Sequence, residues 1–150
     1  MIVKDPHSYA KPSDVAIKHL HLDLAADFST KTLDGFAELT LENKTNANEL
    51  WLDTKDLTIK KVELDNGSET TFELGKDDEH LGQSLKISIL PTTQKVKVYY
   101  TTSPNAKALQ WLSPAQTSGK EHPFLFSQSQ AILARTWIPL QDGPGVKFTY

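Results

Sequence analysis

Gln128, Ser129 and Gln130 set several neutral hydrogen-bond donors and acceptors within three residues. Ala131 and an apolar run from Ile132 to Ile138 follow, and Pro139 to Gly145 end the segment with Pro and Gly punctuation. A neutral amide cluster held against a core suits binding a small polar group better than attacking one. Gln128 and Gln130 are the candidates for that, the alternative being buried amides that tie the loop to neighbouring backbone, and no catalytic residue is assigned in this chain. Arg135 and Asp142 lie in the same stiff segment, close enough to form a bidentate pair that fixes loop geometry.

Other chemistries lack their parts. The five histidines are His7, His19, His21, His80 and His122. His19 and His21 fall two apart on one strand face without a carboxylate trio nearby, so they read as solvent-facing, and no metal site is expected. There is no H-E-x-x-H, G-x-S-x-G, P-loop or dinucleotide fingerprint. Zero cysteines remove disulfides, thiolate catalysis and Cys-based zinc sites together. Asp77-Asp-Glu-His80 reads as a solvated acidic loop.

The elements that must position the Gln cluster are strands. Leu20, Leu22, Leu24, Ala26 and Phe28 alternate with polar residues, and Leu33 to Glu42 alternate again after Ser29 to Thr32, which predicts an antiparallel hairpin. Leu50 and Leu52 begin a third strand. Leu57 to Leu64 form a fourth with an irregularity at Lys60-Lys61, and the Asn66-Gly67 turn sends Thr70 to Leu74 back across it. Leu85, Ile87 and Ile89 alternate, then Val96, Val98 and Tyr100. The period puts Leu20, Leu22, Leu24, Leu39, Leu41, Ile87, Ile89, Val96 and Val98 inside, with Asp23, Glu38, Lys95 and Lys97 outside. Residues 1–14 read as an extended arm, residues after Thr101 as a long ordered loop, and Val146 to Tyr150 as a last strand. Helical spacing never persists, so the class is all-β: an antiparallel sandwich or saddle-like domain.

Composition fits one domain. A chain of 150 residues buries roughly 70% of its unfolded surface. Apolar residues at 38% and charged residues at 23% describe an ordinary globular protein. A net charge of −3 with interspersed signs gives nucleic acid no basic patch, and no apolar run is long enough for a membrane span.

Four stretches carry a resemblance: Gln128-Ser-Gln-Ala131 with Ala134-Arg135, Pro139, Asp142, Pro144 and Lys147; Asp5-Pro-His-Ser-Tyr-Ala10; Leu52-Asp-Thr-Lys-Asp-Leu57; and Ala108-Leu-Gln-Trp-Leu-Ser-Pro-Ala-Gln-Thr117. In their order along the chain they resemble the N-terminal domain of gluzincin zinc aminopeptidases, in the leukotriene hydrolase and aminopeptidase B branch. The resemblance implies that the parent continues past Tyr150 into a catalytic domain holding zinc, and that this chain alone binds no zinc and is inactive. It implies peptide N-termini as substrates facing the loop of Gln128, Gln130 and Ala131, with Gln130 at the position that helps hold the free α-amine. A cytoplasmic location goes with it, the alternative being periplasmic or secreted if an upstream signal was removed. The rival reading is a stand-alone β-sandwich binding module, which calls for exposed aromatics on one sheet face. The enzyme reading calls instead for exposed apolar surface beside the Gln128 to Ala131 loop.

Overall fold

The computed structural model describes residues 5–150, and alternation decides most of its ladders. The long hairpin pairs β1 (Val15–Asp27) with β2 (Thr32–Asn43), from Val15 opposite Asn43 to Asp27 opposite Thr32. Asp27 closes its turn by accepting from the Ser29 hydroxyl at 2.6 Å and from the backbone N–H groups of Ser29 and Thr30 at 2.8 and 3.2 Å. These bonds hold its carboxyl at about 2, well below the ordinary value.

After the hairpin come β3 (Glu49–Thr54) and β4 (Thr58–Leu64), then the short β5 (Ser68–Thr70) and β6 (Phe72–Leu74). β7 (Gln83–Ser88) and β8 (Lys95–Thr101) complete the main sheets. Five strands in the order β1-β2-β8-β4-β5 face three in the order β3-β7-β6. Leu39, Val62, Val96, Val98 and Tyr100 from the larger sheet meet Leu50, Leu52, Leu85 and Ile87 from the smaller in one core, all at 0% exposure. Each such aliphatic side chain contributes about 1.5–3 kcal/mol relative to exposure. The all-β antiparallel class is as the alternation predicts, and so is the irregularity in β4, where the register slips between Ile59 and Lys61.

Four details differ. β1 starts at Val15 rather than Leu20, because a bulge at Lys18 lets Ile17 and Leu20 both turn inward although they are three residues apart. Leu22 and Leu24 are half-buried and Phe28 is exposed, because β1 is an edge strand flanked on one side only. The stretch from Thr70 to Leu74 does not return across β4 as one strand. Thr70 pairs with Val62, but Phe72 pairs with Ile87 of β7, so the chain changes sheets at Thr71.

The fourth difference is at the C-terminal end, where Val146 to Tyr150 forms no strand. Only one parallel rung joins Thr149 to His19. The β1 edge ahead of it is already taken: the buried Gln141 amide accepts from Ile17 N–H at 3.1 Å and donates to Val15 C=O at 2.7 Å. One side chain thus stands in for a neighbouring strand.

Candidate functional site

The stretch after Thr101, read as a loop, contains a second hairpin: β9 (Leu109–Leu112) against β10 (Phe124–Ser127). Leu109 sits with Leu33 and Ala106 in a small satellite core that Trp111, Leu125 and Trp137 help to cover. The hairpin delivers the Gln cluster. Past its last rung, Ser127 opposite Leu109, the Gln128 N–H still donates to Ala108 C=O at 2.8 Å.

The two glutamines then part ways. Gln128 Oε1 accepts from the Gln130 backbone N–H at 2.5 Å, so its carbonyl is committed to loop shape. Gln130 is exposed, and none of the hydrogen bonds among the described residues involves its side-chain amide. Ala131 is exposed beside it, and the Gln130–Ala131 peptide is cis. Between them Ser129 is half-buried. Its backbone C=O accepts from Leu133 N–H at 3.0 Å, and its hydroxyl accepts from the Trp137 indole N–H at 3.0 Å. A cleft of about 450 Å³ opens from Ala131 and Ile132 toward Asp5, His7, Asp142 and Gly143.

Under the loop lies a buried polar hub. Arg135, at 1% exposure, donates to Leu81 C=O and His7 C=O at 2.8 Å, to Asp142 C=O at 3.2 Å and from Nε to Asp142 Oδ2 at 3.0 Å. The expected Arg135–Asp142 pair therefore forms, but it is not a two-pronged carboxylate clamp. One guanidinium nitrogen meets the carboxylate and another meets the backbone. Burial pushes the Asp142 carboxyl above its ordinary value, and the hydrogen bond from Arg135 pulls it part of the way back.

Asp53, at 0% exposure, is the hub residue that sequence reading missed. It accepts from the Ser8 hydroxyl at 2.5 Å, Tyr9 N–H at 2.7 Å and Asp142 N–H at 2.9 Å. Its parity in β3 marks it as facing away from Leu52, and only the covering arm and C-terminal segment bury it. The described part of the arm, residues 5–14, is thus docked on β3. Its first four residues lie outside the described ones.

Arg135, Asp142 and Asp53 are spent inside the hub: Arg135 on the carbonyls of His7, Leu81 and Asp142, the Asp142 carboxylate on Arg135, and Asp53 on Ser8, Tyr9 and the Asp142 N–H. The exposed acceptor left in the Gln cluster is the Gln130 amide, able to accept from a cation and donate to a carbonyl, while Gln128 keeps only its amide donor free. Among the described residues no group of three or more His, Asp or Glu is arranged to hold a metal. None of their helices is long and apolar enough to cross a membrane.

Comparison with known proteins agrees with this fold. The family described as the peptidase M1 N-terminal domain matches residues 6–150. Leukotriene A-4 hydrolase of Xenopus laevis is 46% identical over 97% of this chain and 25% of its own length. Leucine aminopeptidase 2 of Pyricularia oryzae is 36% identical over 100% of this chain, again 25% of its own length. The structure of yeast LTA4 hydrolase in complex with Bestatin superposes with a TM-score of 0.88 at 32% identity, covering 98% of this chain and 24% of that one. The chain spans about a quarter of the length of the curated relatives it matches.

Proposed function

Because the chain belongs to the peptidase M1 N-terminal domain family, we propose that it serves a larger aminopeptidase by positioning the free amine end of a peptide. Gln130 makes the contact in this reading. One observation carries it: of the two glutamines, Gln128 has its side-chain carbonyl spent on the loop backbone, while Gln130 presents an exposed amide whose carbonyl is free to accept. A buried amide tying the loop to its neighbours would look different.

The Gln130 carbonyl accepts from an ammonium group without adding a full negative charge. A carboxylate there would bind more strongly, since charge-assisted bonds are roughly twice as strong as neutral ones. The contribution is orientation: a substrate fixed at its amine end presents its first peptide bond in one place. Zinc, which the family resemblance puts in a catalytic domain, finds no fitting ligand set among the described residues here.

The catalytic domain is the partner that the surface favours. Phe124 and Phe126, at 55% and 44% exposure, stand on β10 immediately before Gln128. They cluster beside the loop rather than along a face of the main sheets, as the enzyme reading expects and the binding-module reading does not.

Kinetics of the full-length enzyme test the proposal. Gln130→Ala should lower peptidase kcat/KM about ten- to a hundredfold, the loss expected for one hydrogen bond to a charged group. Gln130→Glu should retain more activity than alanine. Melting of the 150-residue chain should be unaffected by either. Unchanged kinetics with a destabilised chain would make Gln130 structural.

A further inference from the structure

We propose that Ser129 is a positioning residue that acts through Gln130, held in place by the indole N–H of Trp137. This rests on the reading of Gln130 given above. Ser129 is the half-buried residue between two exposed glutamines, and it is pinned at two points. Leu133 N–H fixes its carbonyl at 3.0 Å, and Trp137 Nε1 fixes its hydroxyl at 3.0 Å. The other bond on Gln130's backbone, from its N–H to Gln128 Oε1, joins two exposed residues where water competes. The firmer anchor of the Ser129–Gln130 peptide is therefore Ser129 itself.

Trp137 is well placed to hold it. Its ring packs against both the main core and the satellite core. Its backbone N–H donates to Ala134 C=O at 3.0 Å, and its C=O accepts from the Tyr100 hydroxyl at 2.8 Å. Tyr100 is fully buried on β8, between β2 and β4. A continuous chain of bonds thus runs from the middle of the larger sheet through Tyr100, Trp137 and Ser129 to the backbone that carries Gln130. The contrast with Trp111 sharpens the point, because its buried Nε1 has no partner among the described residues. The sequence uses one indole for packing and the other as a directed donor.

Breaking the Trp137–Ser129 bond frees the segment to shift without removing any group that touches substrate. Small misplacements of a positioning group have large kinetic effects. The test is a double-mutant cycle on the full-length enzyme with an aminoacyl-anilide substrate. Ser129→Ala should lower kcat/KM about tenfold. Trp137→Phe, which keeps an aromatic ring but loses the donor, should do the same, and Ser129→Thr should stay near the parent. The double variant Ser129→Ala/Gln130→Ala should be no slower than Gln130→Ala alone, because Ser129 has nothing left to position. If Gln130→Ala is slow and the Ser129 loss multiplies with it, or Ser129→Ala is as fast as the parent, the proposal is wrong and the reading of Gln130 stands. If Gln130→Ala is itself as fast as the parent, that reading falls and takes this proposal with it.

Discussion

Arg135 Nη1 lies 3.9 Å from Asp53 Oδ1, yet none of the hydrogen bonds of either side chain is made to the other. Each is satisfied by partners from distant segments: Arg135 by His7, Leu81 and Asp142, and Asp53 by Ser8, Tyr9 and Asp142. The two opposite charges neutralise one another while their bonds fasten the arm, β3 and the segment after the Gln cluster.

Removing Asp53 strands three donors, the Ser8 hydroxyl and the N–H groups of Tyr9 and Asp142, and leaves Arg135 with Asp142 as its one carboxylate partner. Asp53→Ala should cost about 3–5 kcal/mol in urea melts. The exposed pair between Lys55 and Asp77, at 3.2 Å, gives the contrast: Asp77→Ala should cost under about 1 kcal/mol. Equal losses from both variants would contradict the role of the hub.

Gly82 is needed where Leu81 accepts from Arg135. Its φ is +75°, and a Cβ there would sit 2.1 Å from the Thr54 carbonyl oxygen. Gly82→Ala should lose at least about 1 kcal/mol from the left-handed backbone alone, with the clash adding to it. Thermal melts of the variant check this.

Core position and edge position should separate cleanly. Leu39→Ala, at a site with 0% exposure, should cost about 2–5 kcal/mol. Leu22→Ala, on the half-buried edge, should cost clearly less. Paired denaturant melts that give Leu22 the larger loss would reverse the assignment of the edge.

Acid should weaken the β1–β2 turn. The Asp27 carboxyl is held at about 2, below its ordinary 3.8. A depressed carboxylate contributes stability that is present above the ordinary value and lost as pH falls through the folded one. Asp27→Asn should therefore lower Tm at pH 5, with the deficit closing toward pH 2. Asp142, pushed up by burial, runs the other way: the stability linked to its proton is present at low pH and lost as pH rises through the raised value.

Alternation made the two main sheets legible, because a half-buried strand writes its face into every second residue. The Asn66-Gly67 turn and the slip in β4 were equally local. What stayed hidden depends on parts far apart in sequence. The bulge at Lys18 breaks the period that would have revealed Val15 and Ile17 as strand residues. β9 and β10 carry too few alternating positions to stand out from their loop. Asp53 went unread, because its burial comes from Ser8, Tyr9 and Asp142 rather than from β3 itself. At the site, the Gln cluster was visible as a set of donors and acceptors. That Gln128 is committed and Gln130 is not required the fold of the loop.

The rung between His19 and Thr149 runs parallel, whereas every ladder between the named strands is antiparallel. Thr149 N–H donates to Lys18 C=O at 3.1 Å and its C=O accepts from Leu20 N–H at 2.9 Å, so these groups of β1 point away from β2. By strand geometry Leu22 and Leu24 turn theirs the same way. The open margin of the larger sheet is thus polarised. A strand prolonging that rung would meet His21 and then Asp23, making the sheet mixed, and an antiparallel newcomer would first have to displace Thr149.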